Sequence, residues 1–233
     1  MWQGGPRDSI GYRLCFHGLW HAESWPLVVP FLLNRLLTAR VFLDVGANTG
    51  LFSVAGCASN PNLRGLAIEA LPEQAGMLRR NLALNGFQSR IGVRQCAVCD
   101  QIGEISFHQA QDNTMGSLNT AGYKGQPGTI ITVPSSTLDR VLEEEGVTPD
   151  LVKIDVEGFE DIVLSGADKM LSLDRPELVI EVNPGKDCQM LREIFRKHRY
   201  SVACITKSGL KPYPEIEAAP EGSDWLCTPI ERA

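Results

Sequence analysis

A chain of 233 residues with 43% hydrophobic content can bury a substantial core as one domain, and its length forces no further division. Its formal charge of -6 leaves no basic footprint, which argues against nucleic acid or an anionic membrane as a partner. The N-terminus has no basic start followed by an apolar run, the richest apolar stretch (25–33) is broken by Pro26 and Pro30, and the seven cysteines are scattered, as suits free thiols in a reducing compartment. No export or membrane-spanning segment is expected, and the cytoplasm is the default location.

The first forty residues are dense in aromatics (Trp2, Tyr12, Phe16, Trp20, Trp25) and end in an apolar helix pattern over 27–37. They are read as a helical segment, 1–40, packed beside a main domain, 41–233. Core packing, a homodimer contact and an aromatic lid over a substrate all fit that composition. From 41 onward short β-branched runs alternate with helical patterns: strand 41–45, helix 51–58, strand 65–69, helix 73–85 and strand 93–98. The rhythm resumes with strand 151–155, helix 161–171, strand 178–182 and helix 188–198. Alternation of this kind predicts an α/β fold, a mostly parallel sheet with helices on both faces. Runs 200–205 and 225–229 read as a closing antiparallel pair joined by an exposed loop rich in Pro and Gly. Between the two halves, 103–109 and 129–134 read as extra strands around a polar stretch, 111–128, suited to a flap over a site. Ser136 and Asp139 fit a capping box for the following helix.

The run Phe42-Leu-Asp-Val-Gly-Ala-Asn-Thr-Gly50 has the layout of a nucleoside-binding strand, turn and helix. Gly46 and Gly50 permit a tight turn and close backbone approach. The spacing is G-x-x-x-G, not the dinucleotide fingerprint, and Asp44 would oppose a pyrophosphate with like charge. S-adenosylmethionine (SAM) carries no phosphate and has a cationic amino group and sulfonium, so an acid beside a glycine turn suits it. Glu69 ends the second strand, where an acid about twenty residues past the turn accepts hydrogen bonds from ribose hydroxyls.

The run Leu151-Val-Lys-Ile-Asp-Val-Glu-Gly-Phe-Glu160 is an apolar strand that ends in a burst of charge, at the edge where open α/β sheets bind ligands. Period-two alternation predicts Lys153, Asp155 and Glu157 on one side, opposite a buried Val152, Ile154 and Val156.

With both motifs in view, the chain resembles the FkbM family of SAM-dependent methyltransferases, through FLDVGANTG (42–50), AIEA (67–70), VKIDVEGFEDIVLSGA (152–167) and LVIEV (178–182). The likeness covers roughly 41–205. It implies a class I Rossmann-like methyltransferase fold with a seven-stranded sheet whose last strand is antiparallel. It also implies SAM as cofactor and O-methylation of a small-molecule or glycan hydroxyl, of sugar or polyketide type. Residue by residue it implies cofactor binding by Asp44, Gly46, Ala47, Asn48, Gly50 and Glu69, with Ala97 and Val98 against adenine. It likens Gly116-Ser117-Leu118 to a serine-containing loop and Asp139 to a Thr-Leu-Asp element. Where that family often carries a histidine after the strand-five Glu-Val, this chain has Asn183.

Methyl transfer to an alcohol needs in-line alignment and removal of the hydroxyl proton. Asp155, Glu157 and Glu181, each at a predicted strand mouth, are the candidate bases; Glu157 is preferred, with Lys153 and Asp155 as orienting groups. A competing scheme uses Asp155, Glu181 and Asn183 as oxygen ligands of a magnesium ion that holds the acceptor. The Asn/Asp-Pro-Pro-aromatic run expected for N-methylation is replaced by Asp155-Val-Glu-Gly, which favours oxygen. Two other functions remain beside the enzyme: a nucleotide-sugar or NAD-binding module, opposed by the glycine spacing, and a non-catalytic SAM-binding protein, opposed by the charged strand end. Cys96-x-x-Cys99 lacks a second pair at zinc spacing, and His17 with His21 lacks a third ligand, so no protein-bound metal is predicted from either.

Overall fold

The computed structural model describes residues 27–110, 116–117, 128–183, 185–217 and 224–232. The aromatics before residue 27, His17, His21 and most of the 111–128 stretch, Leu118 included, lie outside the described residues.

The chain enters through α1 (Val28–Leu36) and then builds β1 (Val41–Val45), α2 (Leu51–Ser59), β2 (Arg64–Glu69), α3 (Pro72–Leu84) and β3 (Ile91–Gln95). A smaller insertion follows, with β4 (Ala97–Val98), β5 (Gly103–Ala110), β6 (Gly116–Ser117) and β7 (Gly128–Ser136). The second half carries α4 (Leu138–Glu145), β8 (Leu151–Ile154), α5 (Glu160–Ser165), a π-helical turn (Met170–Asp174) and β9 (Glu177–Glu181). It closes with α6 (Gln189–Lys197), β10 (Tyr200–Thr206), β11 (Gly209–Tyr213) and β12 (Asp224–Pro229).

The main sheet runs β11-β10-β12-β9-β8-β1-β2-β3. Strands β3, β2, β1, β8 and β9 pair in parallel, and β12 inserts antiparallel between β9 and β10. Those seven strands are the predicted class I arrangement. An eighth, β11, pairs antiparallel with β10 at the edge, within the stretch expected to be an exposed loop. Gly-Leu-Lys-Pro-Tyr shows no apolar alternation and contains Pro212, which only an edge strand tolerates, so periodicity did not reveal it. The insertion forms its own four-stranded sheet, β4-β7-β5-β6, and the strand expected over 93–98 is divided at Cys96 between the two sheets.

Parallel strands covered on both faces read as continuous apolar runs. Phe42, Ala67, Leu151, Val179 and Leu226 pack in one layer with α1, α2 and α3, where Leu32, Leu36, Phe52 and Leu78 lie. Leu43, Val45, Ile68, Val152, Ile154, Ile180 and Trp225 pack in the other, against α4, α5 and α6. Side chains alternate between faces, so the last charged residue of each of β1, β2, β8 and β9 falls on the α1–α3 side: Asp44, Glu69, Lys153 and Glu181. The fold thus collects ionisable groups at one edge.

Local capping differs from expectation. Ser136 is still paired in β7, opposite Val98, so α4 begins one residue later: Thr137 is its N-cap and accepts from the Arg140 amide at 3.3 Å. Asp139 instead caps the neighbouring turn, accepting from the amides of Lys169 (2.8 Å) and Met170 (3.0 Å). The helix expected over 161–171 breaks at Gly166, where a Cβ would stand 2.6 Å from the Cys99 carbonyl oxygen. Among the described residues no helix is long and apolar enough to cross a membrane.

Candidate functional site

The turn from β1 to α2 is built from left-handed backbone: Gly46 at φ 75°, Asn48 at φ 51° and Gly50 at φ 89°. A Cβ on Gly46 would lie 1.9 Å from the Asp155 carbonyl oxygen, and one on Gly50 would lie 2.3 Å from Leu78 Cδ1, so both positions need glycine for space as well as for φ. The amides of Gly46 and Ala47 both donate to the Ile68 carbonyl at 3.0 Å, which ties the turn to the end of β2. Glu69 completes the tie, its Oε2 accepting from the Asn48 amide and its Oε1 from the Leu71 amide, each at 2.8 Å. Burial pushes the Glu69 carboxyl up to about 7, against the opposing pull of those amides.

Asp44 is 1% exposed. Its Oδ2 accepts from Ser53 Oγ at 2.7 Å, while its Oδ1 is buried with no hydrogen-bond partner. Burial raises its pKa, and the nearby Lys153 ammonium and the Ser53 hydroxyl work in the other direction. A buried carboxylate oxygen without a donor is costly unless something supplies one.

Lys153 stands opposite Asp44 in the β1–β8 register and is almost fully buried, with its ammonium 5.0 Å from the centre of the Phe52 ring. It donates to Asp155 Oδ2 at 2.8 Å. Burial opposes its charge, but Asp155, Asp44 and Glu181 outweigh burial and hold its pKa above the ordinary lysine value. Asp155 is likewise disfavoured as an anion by burial, yet the Lys153 ion pair and a hydrogen bond with Glu181 keep its carboxyl below the ordinary range. Glu181 takes the other side of that balance. Burial, then the neighbouring Asp155, push it up to about 9, with Asp224 and Glu157 adding to the rise. Of the two neighbouring acids, Glu181 is thus the one that binds a proton more tightly.

The sequence-predicted residues converge with one change of geometry. Alternation carries through Lys153 and Asp155 and stops there: Lys153 is buried rather than facing out, and Glu157 sits beyond the strand at φ 56°. Glu157 is near enough for its charge to add to the rise of Glu181. Asn183 closes it from the next loop, its Nδ2 3.7 Å from where a Gly158 Cβ would lie. Ala97 and Val98 follow β3, both buried, with Val98 and Cys96 inside the core layer. Gly116 and Ser117 form the short strand opposite His108 and Gln109. Ser53, Phe52 and Asp224 were not anticipated. Asp224 faces Glu181 directly across the β9–β12 pair, and its only sequence signal was an acid immediately before the apolar run of the last strand. Among the described residues no group of three or more His, Cys, Asp or Glu is arranged to hold a metal ion.

The comparisons with known proteins agree with this architecture. Residues 44–202 match the model of the methyltransferase FkbM domain. A methyltransferase of Sordaria araneosa, sdnD, is 30% identical over 155 residues, an alignment covering 54% of this chain and 60% of that protein. The chain thus spans about 60% of the length of the curated relative it matches. The crystal structure of methyltransferase FkbM from Methylobacillus flagellatus KT superposes with a TM-score of 0.55 at 17% identity, over 81% of this chain and 43% of that one, a likeness of fold. The matched segment runs from the acid of the glycine turn into β10, enclosing both charged strand ends, and the chain belongs to the FkbM methyltransferase family, with the class I Rossmann-like fold of SAM-dependent methyltransferases.

Proposed function

We propose that this chain is a SAM-dependent O-methyltransferase acting on a hydroxyl of a small molecule or glycan, of sugar or polyketide type. The observation that carries the cofactor assignment is the orphaned Oδ1 of Asp44, a buried carboxyl oxygen beside a turn that leaves no room for a Cβ at Gly46 or Gly50. A cationic amino group would satisfy that oxygen, whereas a pyrophosphate would be repelled by it. Asn48 and Ala47 would line the turn, Glu69 would accept from the ribose hydroxyls with its remaining lone pairs, and Ala97 and Val98 would bound the adenine. When bound, SAM supplies an electrophilic methyl group on a sulfonium.

The charged mouth supplies the rest. Lys153 and Asp155 form a fixed ion pair that orients the acceptor, and Glu181 donates a hydrogen bond while it holds its proton. With Glu181 protonated and Asp155 held low, Glu157 is the carboxylate best suited to take the hydroxyl proton. This reading needs no magnesium, because the Lys153 ammonium already provides the cation between Asp44, Asp155 and Glu181. The family match sets aside a dinucleotide module, and the net charge of -6 supports a small-molecule partner over nucleic acid. A cytoplasmic location belongs to the same proposal, supported by six free, buried cysteines among the described residues. So does a main domain over 41–233, with α1 of the preceding segment packed into its core.

The test is incubation of purified protein with methyl-labelled SAM and panels of glycosides, nucleotide sugars and polyketides, with the label located by mass spectrometry. Glu157→Gln is expected to keep SAM affinity and lower turnover by about 100-fold or more. Equal rates would remove Glu157 as the base, and label on no acceptor with SAM still bound would favour a non-catalytic binding protein.

A further inference from the structure

Both polar backbone groups of Gly158 are held by side chains from outside the mouth. Its amide donates to Glu160 Oε1 at 3.0 Å, and its carbonyl accepts from Lys186 Nζ. Lys186 also reaches Asp161 Oδ1 at 2.9 Å, and its Nζ lies 3.9 Å from Glu160 Oε2. These groups are not a solvated surface pair: Glu160 is fully buried and only 13% of the Lys186 side chain meets solvent. Burying a carboxylate and an ammonium is expensive, and ion pairing alone repays it poorly.

What the two side chains share is one glycine. Gly158 at φ 97° follows Glu157 at φ 56°, so two successive residues leave the strand end in left-handed backbone, the first of them with a side chain that disfavours it. Such a turn persists only where its surroundings fix it. Glu160 comes from the start of α5 and Lys186 from the loop after β9, so the turn is gripped from two elements.

We propose that Lys186 and Glu160 are positioning residues that clamp Gly158 and so set where the Glu157 carboxyl stands in the mouth. The catalytic consequence rests on the reading of Glu157 as the base; the clamp itself does not. The clamp also carries a signature. Burial pushes Glu160 up to about 7, with Lys186 opposing and Asp155 adding to the rise, so the acceptor of the Gly158 amide changes protonation near neutral pH.

The experiment follows the Gly158 amide of the isotope-labelled full chain by NMR from pH 5.5 to 8.5, alongside transfer from methyl-labelled SAM to the best glycoside of an acceptor panel. In the wild type the amide is expected to titrate with a midpoint near 7; in Glu160→Gln, which keeps an oxygen acceptor, it stays level. Lys186→Met is expected to raise the midpoint and to lower kcat by about 10- to 100-fold with the KM for SAM within about twofold, and Lys186→Arg to recover most of the rate. A Gly158 amide whose shift is the same in Glu160→Gln and Lys186→Met as in the wild type, or Lys186→Met at the wild-type kcat, overturns the clamp. If Glu157→Gln keeps the wild-type rate while Lys186→Met is slow, the base assignment falls and the clamp stands.

Discussion

Replacing Lys153 with Met keeps an unbranched apolar stem near the Phe52 ring, one heavy atom shorter, and removes the ammonium, leaving Asp155 without the donor 2.8 Å away and Asp44 without its opposing cation. Breaking a buried pair from one side costs about 3–5 kcal/mol. The lower end applies, about 3 kcal/mol, because 31% of the Asp155 side chain meets water that can partly replace the lost cation. For a chain of this size that is a fall of about 6–12 °C in Tm. The effect has a direction in pH. In the wild type Asp155 lies below its ordinary 3.8 and Lys153 above its ordinary 10.5, so their contribution is full between those values, fading below as Asp155 protonates and above as Lys153 loses its proton. Without Lys153, Asp44, already raised by burial, climbs further and Asp155 loses the partner that holds it low, so the protein loses stability more steeply as pH rises from acid toward neutral. Urea unfolding of both proteins at pH 5 and pH 8 reads this directly. The variant is expected to lose more at pH 8; a loss under about 1 kcal/mol at both values, or a larger loss at pH 5, would refute the reasoning.

Asp44→Ala is expected to abolish SAM binding in calorimetry while circular dichroism shows the fold intact, because the change removes a buried acceptor whose Oδ1 has no internal donor; unchanged affinity would contradict it. SAM affinity is expected to rise between pH 6 and pH 8, as Glu69 ionises through about 7 and becomes able to accept from both ribose hydroxyls, and this rise should vanish in Glu69→Gln. A chelator is expected to leave turnover unchanged, since Lys153 supplies the cation of the mouth; loss of activity restored by magnesium would instead favour Asp155, Glu181 and Asn183 as ligands.

Much of this architecture was legible because its signals are local. Gly46 and Gly50 are glycines for reasons within one turn, and the apolar run before Asp44 ends where the strand ends. β11 escaped because an edge strand is held by backbone pairing, which leaves little pattern in its side chains. The N-cap of α4 was displaced by a single residue, from Ser136 to Thr137, since whether Ser136 ends a strand or starts a helix depends on β4 lying beside it. Glu157 left the expected alternation because β8 ends at Ile154 and the backbone turns left-handed at Glu157 and Gly158.

The sequence by itself determined which strands end in charge and which turn is tight enough to cradle a ligand, because strand period and glycine geometry are properties of a few neighbouring residues. Only the tertiary structure decided the state of those charges. Asp155 and Glu181 are both acids at strand ends, yet the Lys153 ion pair holds one below the ordinary range while burial, Asp155 and Asp224 push the other up. A carboxyl's pKa depends on burial and on the charges that sheet register brings within reach, and register joins segments far apart in the chain.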